Sequence, residues 1–250
     1  MNNPSAESLA LPAASATERA TNVRWRIFLI MLLLTAINYI DRASLSVALP
    51  LISSEFQIPP ALEGLMLSAF FWSYALMQIP GGMLLDRFHT RRVIVVATVA
   101  WGAFQALAAG AHNWITLLIT RMGLGVAESP IMPAGAKLNG AWLTPNERGR
   151  GAVLVDGGAP LGSAFGAIII AGLIGWFDSW RIAFVIAGVG TMLAGVLARK
   201  YIRNHPSEHP GVNAAELAHI TAGNATLSQP GAVTSIPFKE LLKDRSVLAM

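Results

Sequence analysis

The sequence predicts an all-α protein that spans a membrane, and three observations support this fold class. Of the 250 residues, 54% are apolar and only 13% are charged, whereas a soluble domain carries about 25% charged residues. The apolar residues form six stretches of about 20 residues, the length of helix that crosses a bilayer core. The basic residues lie between these stretches. The net charge of +4 therefore does not indicate a nucleic-acid-binding face on a soluble body.

The six predicted spans cover residues 25–49, 64–86, 93–111, 114–136, 151–176 and 180–202. Residues 1–24 are small and polar and lack the apolar segment of a cleavable signal, so we expect a disordered tail and a retained first span. After the six-span bundle of residues 25–202 the chain becomes polar again. We expect a cytoplasmic inter-domain loop at 203–244 and the start of a seventh span at 245–250.

The Lys and Arg residues of the short loops predict the orientation. With a cytoplasmic amino terminus, the outer loops EFQIPPALE, AHNW and WFDS contain neither residue. The cytoplasmic side then receives Arg19, Arg24, Arg26, Arg87, Arg91, Arg92, Arg148, Arg150, Arg199, Lys200, Arg203, Lys239, Lys243 and Arg245. This asymmetry favours a cytoplasmic amino terminus.

Four ionisable residues fall within the predicted spans, where each costs about 2.5–3.5 kcal/mol near a helix centre. Asp41 and Arg42 interrupt the first span, and Arg121 and Glu128 lie on one face of the fourth. One interpretation is structural: Asp41 would pair with Arg121, or Glu128 with Arg42, to hold two helices together. The other is a site that binds a charged solute and moves a proton. We favour the second, because a buried ion pair contributes little net stability.

The first span also has a polar face, since Tyr39, Arg42 and Ser46 share a stripe at helical spacing. Such a face is suited to line a water-filled cavity.

Glycine and proline indicate close packing and bending in two spans. Gly158, Gly162 and Gly166 follow one another at four-residue spacing, which lets helix backbones approach closely. Pro130 and Pro133 in the fourth span permit a bend where a cavity frees backbone groups.

Metal, cofactor and enzyme chemistry receive no support from the sequence. There is no Cys. His205 and His209 have ligand-like spacing, but Pro206 and Pro210 would break the helix needed to align them. The spans contain no nucleophile–base pair. We therefore expect neither an enzyme nor a bound cofactor.

The loop after the second span, GMLLDRFHTRR from Gly82 to Arg92, resembles the signature loop of the major facilitator superfamily, Gly-x-x-x-Asp-Arg-x-Gly-x-Arg-Arg. The departure is His89, where the family prefers Gly for a tight turn, so we expect a turn with a positive φ and some strain. The resemblance implies a conformational latch between two transporter halves, formed by Gly82, Asp86, Arg87, Arg91 and Arg92.

Three further segments, NYIDRASLS, SAFFWSYALMQIPGG and RMGLGVAESPIMP, are similar to the anion:cation symporter branch, especially bacterial carriers of galactonate, glucarate and hexuronates. The similarity covers roughly residues 22–205. It implies the amino-terminal bundle of an inner-membrane transporter, built from two inverted three-helix repeats and completed by a missing carboxy-terminal half. The expected function is proton-coupled uptake of an organic anion.

The resemblance also implies roles for particular residues. Asp41 and Glu128 would be the proton-coupling acids. The substrate-binding residues would be Arg42, Arg121, Tyr39 and Tyr74.

Three questions stay open at the level of sequence. Residues 155–161 (VDGGAPL) depart from the sugar-acid pattern, and Asp156 is either a further titratable group or a polar residue near the cytoplasm. The segment GGAPLG faintly resembles a motif of proton-coupled drug antiporters. A truncated, non-transporting half or a sensor-like membrane protein is the alternative from another class.

Overall fold

The computed structural model describes residues 19–225, and every regular element in this range is helical. The elements are α1 (Val23–Phe56), α2 (Pro60–Arg87), α3 (Thr90–Ala108), α4 (Trp114–Glu128), α5 (Ile131–Trp142), α6 (Arg148–Phe177), α7 (Trp180–Tyr201), a 3-10 turn (Pro206–Glu208) and α8 (Ala214–Ala225). The predicted tail up to residue 18 and the predicted start of a seventh span lie outside the described residues. Residues 23 and 24, which the sequence assigned to the tail, belong to α1.

Five helical segments of the described residues are long and apolar enough to cross a membrane: α1, α3, the continuous pair α4–α5, α6 and α7. The 28-residue α2 is not among them. Its Glu, Ser, Trp, Tyr, Gln and Pro residues lower its mean hydropathy. The all-helical fold is as predicted, whereas the crossing of α2 stays a prediction.

The fourth predicted span is divided between α4 and α5 at Ser129 and Pro130. Pro130 has no N–H to donate to the carbonyl of Val126, four residues earlier. The Ser129 hydroxyl donates to that carbonyl instead, at 2.9 Å. The hydroxyl therefore satisfies the Val126 carbonyl at the break, and Glu128 is the last residue of α4.

Helix α6 packs closely along α1 through the glycines that the sequence indicated. A Cβ atom added at Gly158 would meet the backbone oxygen of Leu32, and one at Gly162 would meet that of Ala36. A Cβ at Gly166 would lie 3.0 Å from the Cα of Ile40. The four-residue spacing thus marks a real backbone contact, as predicted.

A second glycine contact joins α3 to α7, and the sequence analysis did not identify it. Gly102 faces the backbone oxygen of Gly188, and Gly188 faces that of Gly102. These glycines come from different helices and form no repeated spacing within either one. Only the packed structure reveals the pair.

At the cytoplasmic end of the proposed orientation, α8 packs on the first turn of α1. The buried carboxylate of Glu216 accepts hydrogen bonds from the backbone N–H groups of Val23 and Arg24, at 3.2 and 3.1 Å. Helix α1 has no side-chain cap of its own. Glu216 therefore satisfies free N–H groups at the positive end of the helix dipole.

Arg24 extends this contact to the loop between α5 and α6. Its guanidinium lies 2.8 Å from Glu216 and 3.1 Å from Glu147. Burial alone would raise the pKa of Glu147, but hydrogen bonds from Thr144 and the positive charge of Arg24 hold that pKa below its usual value. The four side chains tie α8, α1 and the α5–α6 loop together.

We expect Gly162→Ala to destabilise the bundle by about 1–3 kcal/mol, because the new methyl group would overlap backbone atoms of α1. Gly172→Ala is the matched control, since that α6 position is open among the described residues. The control should be neutral or slightly stabilising, because Ala favours the helix. Thermal unfolding of the detergent-solubilised chain provides the comparison, and equal melting temperatures would contradict the close contact.

We expect Glu147→Gln to lower stability at pH 7 by about 1.5 kcal/mol, the contribution of a hydrogen bond to a charged group. A depressed pKa stabilises the folded state above the unfolded pKa, and this contribution disappears as the pH falls through the folded value. The melting temperatures of variant and wild type should therefore converge as the pH falls below the pKa of Glu147 in the folded state. Glu63→Gln, which removes an acid without an ion pair among the described residues, should show no such pH dependence.

Candidate functional site

Arg42 lies in a cage of aromatic rings beside a buried acid. Its Nε donates to Glu128 Oε2 at 3.0 Å, and the Glu128 side chain is fully buried. The Arg42 guanidinium carbon lies 4.7 Å from the ring centroids of Tyr39, Phe70 and Tyr74. Helix α1 supplies the cation, α2 two of the rings and α4 the acid. The rings hold the guanidinium by cation–π attraction. The ion pair between Arg42 and Glu128, one of the two named in the structural interpretation, is present.

Arg121 forms a separate polar network with α1 and α3. Its terminal nitrogens donate to the backbone oxygen of Asp41 at 3.3 Å, to Gln105 Oε1 at 3.4 Å and to Ser44 Oγ at 3.2 Å. The guanidinium carbon lies 5.1 Å from the ring centroid of Phe184 on α7. Arg121 is 2% exposed, so its charge depends on these partners.

The carboxylate of Asp41 lies toward α3 and α7. Its Oδ2 accepts from Trp101 Nε1 and from Thr191 Oγ1, both at 2.8 Å. Its Oδ1 has no hydrogen-bond donor among residues 19–225. The predicted pairing of Asp41 with Arg121 through their charged groups is wrong, because Arg121 binds the main-chain oxygen while the carboxylate faces other donors.

The polar partners on α3 and α7 were not among the sequence-predicted site residues. Gln105 carried a usable signal, since an amide inside an apolar span needs a partner. Trp101 and Thr191 did not, because both residue types are common in membrane helices. Ser44 lies in the segment NYIDRASLS, but it falls outside the stripe of Tyr39 and its neighbours.

Both arginines border one cavity of about 410 Å³. The polar residues that line it are Tyr39, Arg42, Ser46, Arg121 and Ser163. The predicted polar stripe of α1 therefore does line a cavity. Neither Asp41 nor Glu128 is among the lining residues, and both are buried. Two guanidinium groups at one cavity can bind a carboxylate through paired hydrogen bonds.

Two other candidates lie outside this cavity. Tyr74 stacks on Phe70 with ring centroids 5.7 Å apart and contacts Arg42 from behind the lining. Asp156 is exposed on α6 and is not among the residues that line the cavity.

The predicted latch residues lie around the turn between α2 and α3. Asp86 accepts from Lys137 Nζ of α5 at 3.0 Å, and the same ammonium donates to the backbone oxygen of Leu85. Arg91 donates through Nε and a terminal nitrogen to the backbone oxygen of Arg199, at 3.1 and 2.8 Å. The motif therefore joins α2 to α5 and α3 to α7 within this bundle. Its role as a latch stays a prediction.

The expected strain at His89 is wrong. His89 has φ −64° and ψ 132°, an extended conformation that any residue adopts, and it precedes the first turn of α3. Its carbonyl accepts from the N–H groups of Arg92 and Val93 at 2.9 and 3.1 Å.

Two other predicted latch residues, Gly82 and Arg87, lie on α2. Gly82 has open space where a Cβ would stand, and the Arg87 guanidinium carbon lies 5.8 Å from the Phe88 ring centroid.

The sequence matches the family model of the Major Facilitator Superfamily over residues 31–250. The probable galactarate/D-glucarate transporter GudP of Escherichia coli (strain K12) is 32% identical over 257 residues, covering 95% of this chain and 56% of the relative. A hexuronate transporter of Bacillus subtilis (strain 168) is 30% identical, with coverage of 89% and 50%. The chain thus spans about half the length of the curated relatives that it matches.

A solved structure has the same fold. It is a bacterial homolog of the human lysosomal transporter Spinster, inward-facing and unoccupied, with a TM-score of 0.69 and 23% identity. The match covers 78% of this chain and 45% of that one. The matched motif loop, the sugar-acid transporters among the relatives and this fold agree. The chain belongs to the Major Facilitator Superfamily, whose members are transporters and not enzymes.

Proposed function

We propose that this chain forms the amino-terminal half of a secondary transporter that takes up an organic anion, such as a sugar acid, together with protons. The observation that supports it best is the cavity bordered by Arg42 and Arg121, with a buried acid adjacent to each arginine. The names of the relatives, which include galactarate, glucarate and hexuronate transporters, support the substrate class.

Substrate and the Glu128 carboxylate compete for Arg42 in this mechanism, so substrate binding favours proton binding. A carboxylate that enters the cavity attracts the Arg42 guanidinium, which now holds Glu128. A buried carboxylate without its cation is costly, so proton uptake by Glu128 compensates for the lost pairing. Binding of the two ligands is then linked, as coupled transport requires.

Asp41 is the second proposed proton site. Its carboxylate holds Trp101 and Thr191, while its main chain holds Arg121. Protonation of Asp41 would weaken its contacts with α3 and α7 and so alter how these helices pack on α1. The acid thus connects the arginine at the cavity to the helices behind it.

The rest of the proposed transporter follows the family plan. Six spans, α2 included, form two inverted three-helix repeats, and a second bundle supplies the opposite wall of the pathway. The asymmetry of Lys and Arg supports a cytoplasmic amino terminus in a bacterial inner membrane. The proposed latch, Gly82, Asp86, Arg87, Arg91 and Arg92, then lies on the cytoplasmic side and controls the exchange between conformations.

We expect Arg42→Gln and Arg121→Gln to lower uptake of labelled glucarate at least about tenfold in a complete transporter, because each removes charged hydrogen bonds to a carboxylate. Lys should restore little, since an ammonium does not copy the two-pronged guanidinium. Arg181→Gln is the matched control, because Arg181 pairs with Glu55 away from the cavity.

The comparison is made in cells, beside uptake of a neutral sugar and after membrane insertion has been verified. A wild-type protein that carries neutral sugars or cationic drugs and ignores carboxylates would contradict the proposed substrate.

We expect Asp41→Asn and Glu128→Gln to abolish uphill accumulation driven by a pH gradient, because neither side chain can then carry a proton. Exchange of substrate for substrate should survive in at least one variant, since exchange needs no net proton movement. Asp156→Asn should behave as wild type, because that acid is exposed and outside the cavity.

Vesicles with and without an imposed gradient, together with counterflow at equal pH, separate these activities. If both neutral variants still concentrate substrate when the gradient is applied, the two acids are only structural partners within the bundle.

A further inference from the structure

A second cavity, of about 470 Å³, opens between the ends of α3 and α7 on the side of the latch turn. Its polar lining consists of His89, Arg91, Arg92, Arg199 and Asn204. We call it the α3–α7 groove. No member of the substrate cavity is among its lining residues, so solute binding does not account for it, although Arg91 and Arg92 also belong to the proposed latch.

The arginines near this groove divide into two that are satisfied and two that are not. Arg91 and Arg203 donate to main-chain oxygens at the end of α7, including that of Arg199. The side chains of Arg92 and Arg199 have neither a hydrogen bond nor an ion pair among residues 19–225. Two guanidinium groups are thus free to bind an anion.

The neighbourhood carries an excess of positive charge. Arg91 faces the like charges of Arg199 and Arg203, and Glu208 is the acid that opposes them. The Glu208 carboxylate already accepts from the main chain of Asn204, at 3.2 Å. The acid therefore neutralises only part of the positive charge, and an anion in the groove would relieve the remaining repulsion.

An apolar surface continues from the two free arginines toward the middle of the bundle. Val96 lies one turn after Arg92 on α3 and is 62% exposed. Val196 lies one turn before Arg199 on α7 and is 50% exposed, and Leu193 one turn further is 59% exposed. Residues three or four apart share a helix face. The groove thus has a cationic end and an apolar flank.

We propose that the α3–α7 groove binds an anionic phospholipid, with its phosphate held by Arg92 and Arg199 and its acyl chains along Val96, Leu193 and Val196. Basic pockets between membrane helices bind acidic headgroups in this way. The apolar flank favours a lipid over free phosphate, because only a lipid would cover it. This site is independent of the solute that the protein carries.

Native mass spectrometry of the purified 250-residue chain tests the site, with phosphatidylglycerol titrated against phosphatidylcholine in detergent micelles. We expect the double variant Arg92→Gln/Arg199→Gln to bind phosphatidylglycerol about thirtyfold more weakly, as the loss of two charges near a headgroup predicts. Binding of phosphatidylcholine should not change, which also reports that the lipid-facing surface is intact.

The matched control is Arg26→Gln/Arg150→Gln. It removes two exposed arginines from the same end of the bundle, and neither lines the groove. It should bind phosphatidylglycerol like the wild type. Equal losses in both double variants would indicate diffuse charge attraction and overturn the site, as would full binding by the groove variant. Displacement of phosphatidylglycerol by millimolar inorganic phosphate would identify free phosphate as the ligand and overturn the lipid proposal.

Discussion

The need to satisfy four ionisable side chains inside an apolar bundle determines much of this structure. Asp41, Arg121 and Glu128 are at most 2% exposed, so neighbouring protein groups must stabilise their charges. Three of the four have partners from more than one helix: rings of α2 and an acid of α4 around Arg42, an indole and a hydroxyl from α3 and α7 on Asp41, and groups of α1 and α3 on Arg121. Their burial is costly, and the surrounding hydrogen bonds offset that cost only while the helices keep their positions.

The glycine contacts make this arrangement possible. Because Gly158 and Gly162 let α6 lie directly on the backbone of α1, and Gly102 and Gly188 do the same for α3 and α7, the helices approach closely without large side chains between them. The short distances bring Thr191 of α7 within 2.8 Å of Asp41 on α1. The small residues at the helix contacts thus bring the polar residues of the site within hydrogen-bonding distance of one another.

The sequence predicted the helical class, the packing face of α6 and the polar stripe of α1, because each depends on spacing within one helix. It named the four ionisable residues within the predicted spans, Asp41, Arg42, Arg121 and Glu128, since charges inside apolar spans stand out. In the less favoured structural interpretation Asp41 would pair with Arg121, but their charged groups do not meet, because opposite charges indicate a possible contact and not which atoms form it. The sequence did not identify Trp101 and Thr191 as site residues, because they reach Asp41 from helices that are distant from it in sequence. The strain expected at His89 was also wrong, since the family's preference for Gly does not fix the conformation of this turn.

The hydrogen bonds from the first turn of α1 to Glu216 fix the position of α8 on the bundle. The chain leaves the bundle after α7, yet α8 returns to the amino-terminal end of α1, so the first and last described helices are tied together. A rotation of the bundle would carry α8 with it, because α8 is bound to α1. The chain would then leave the bundle at the end of α8 and not at the end of α7. The connection to any later part of the protein therefore begins at α8, and the residues between α7 and α8 do not add to its reach.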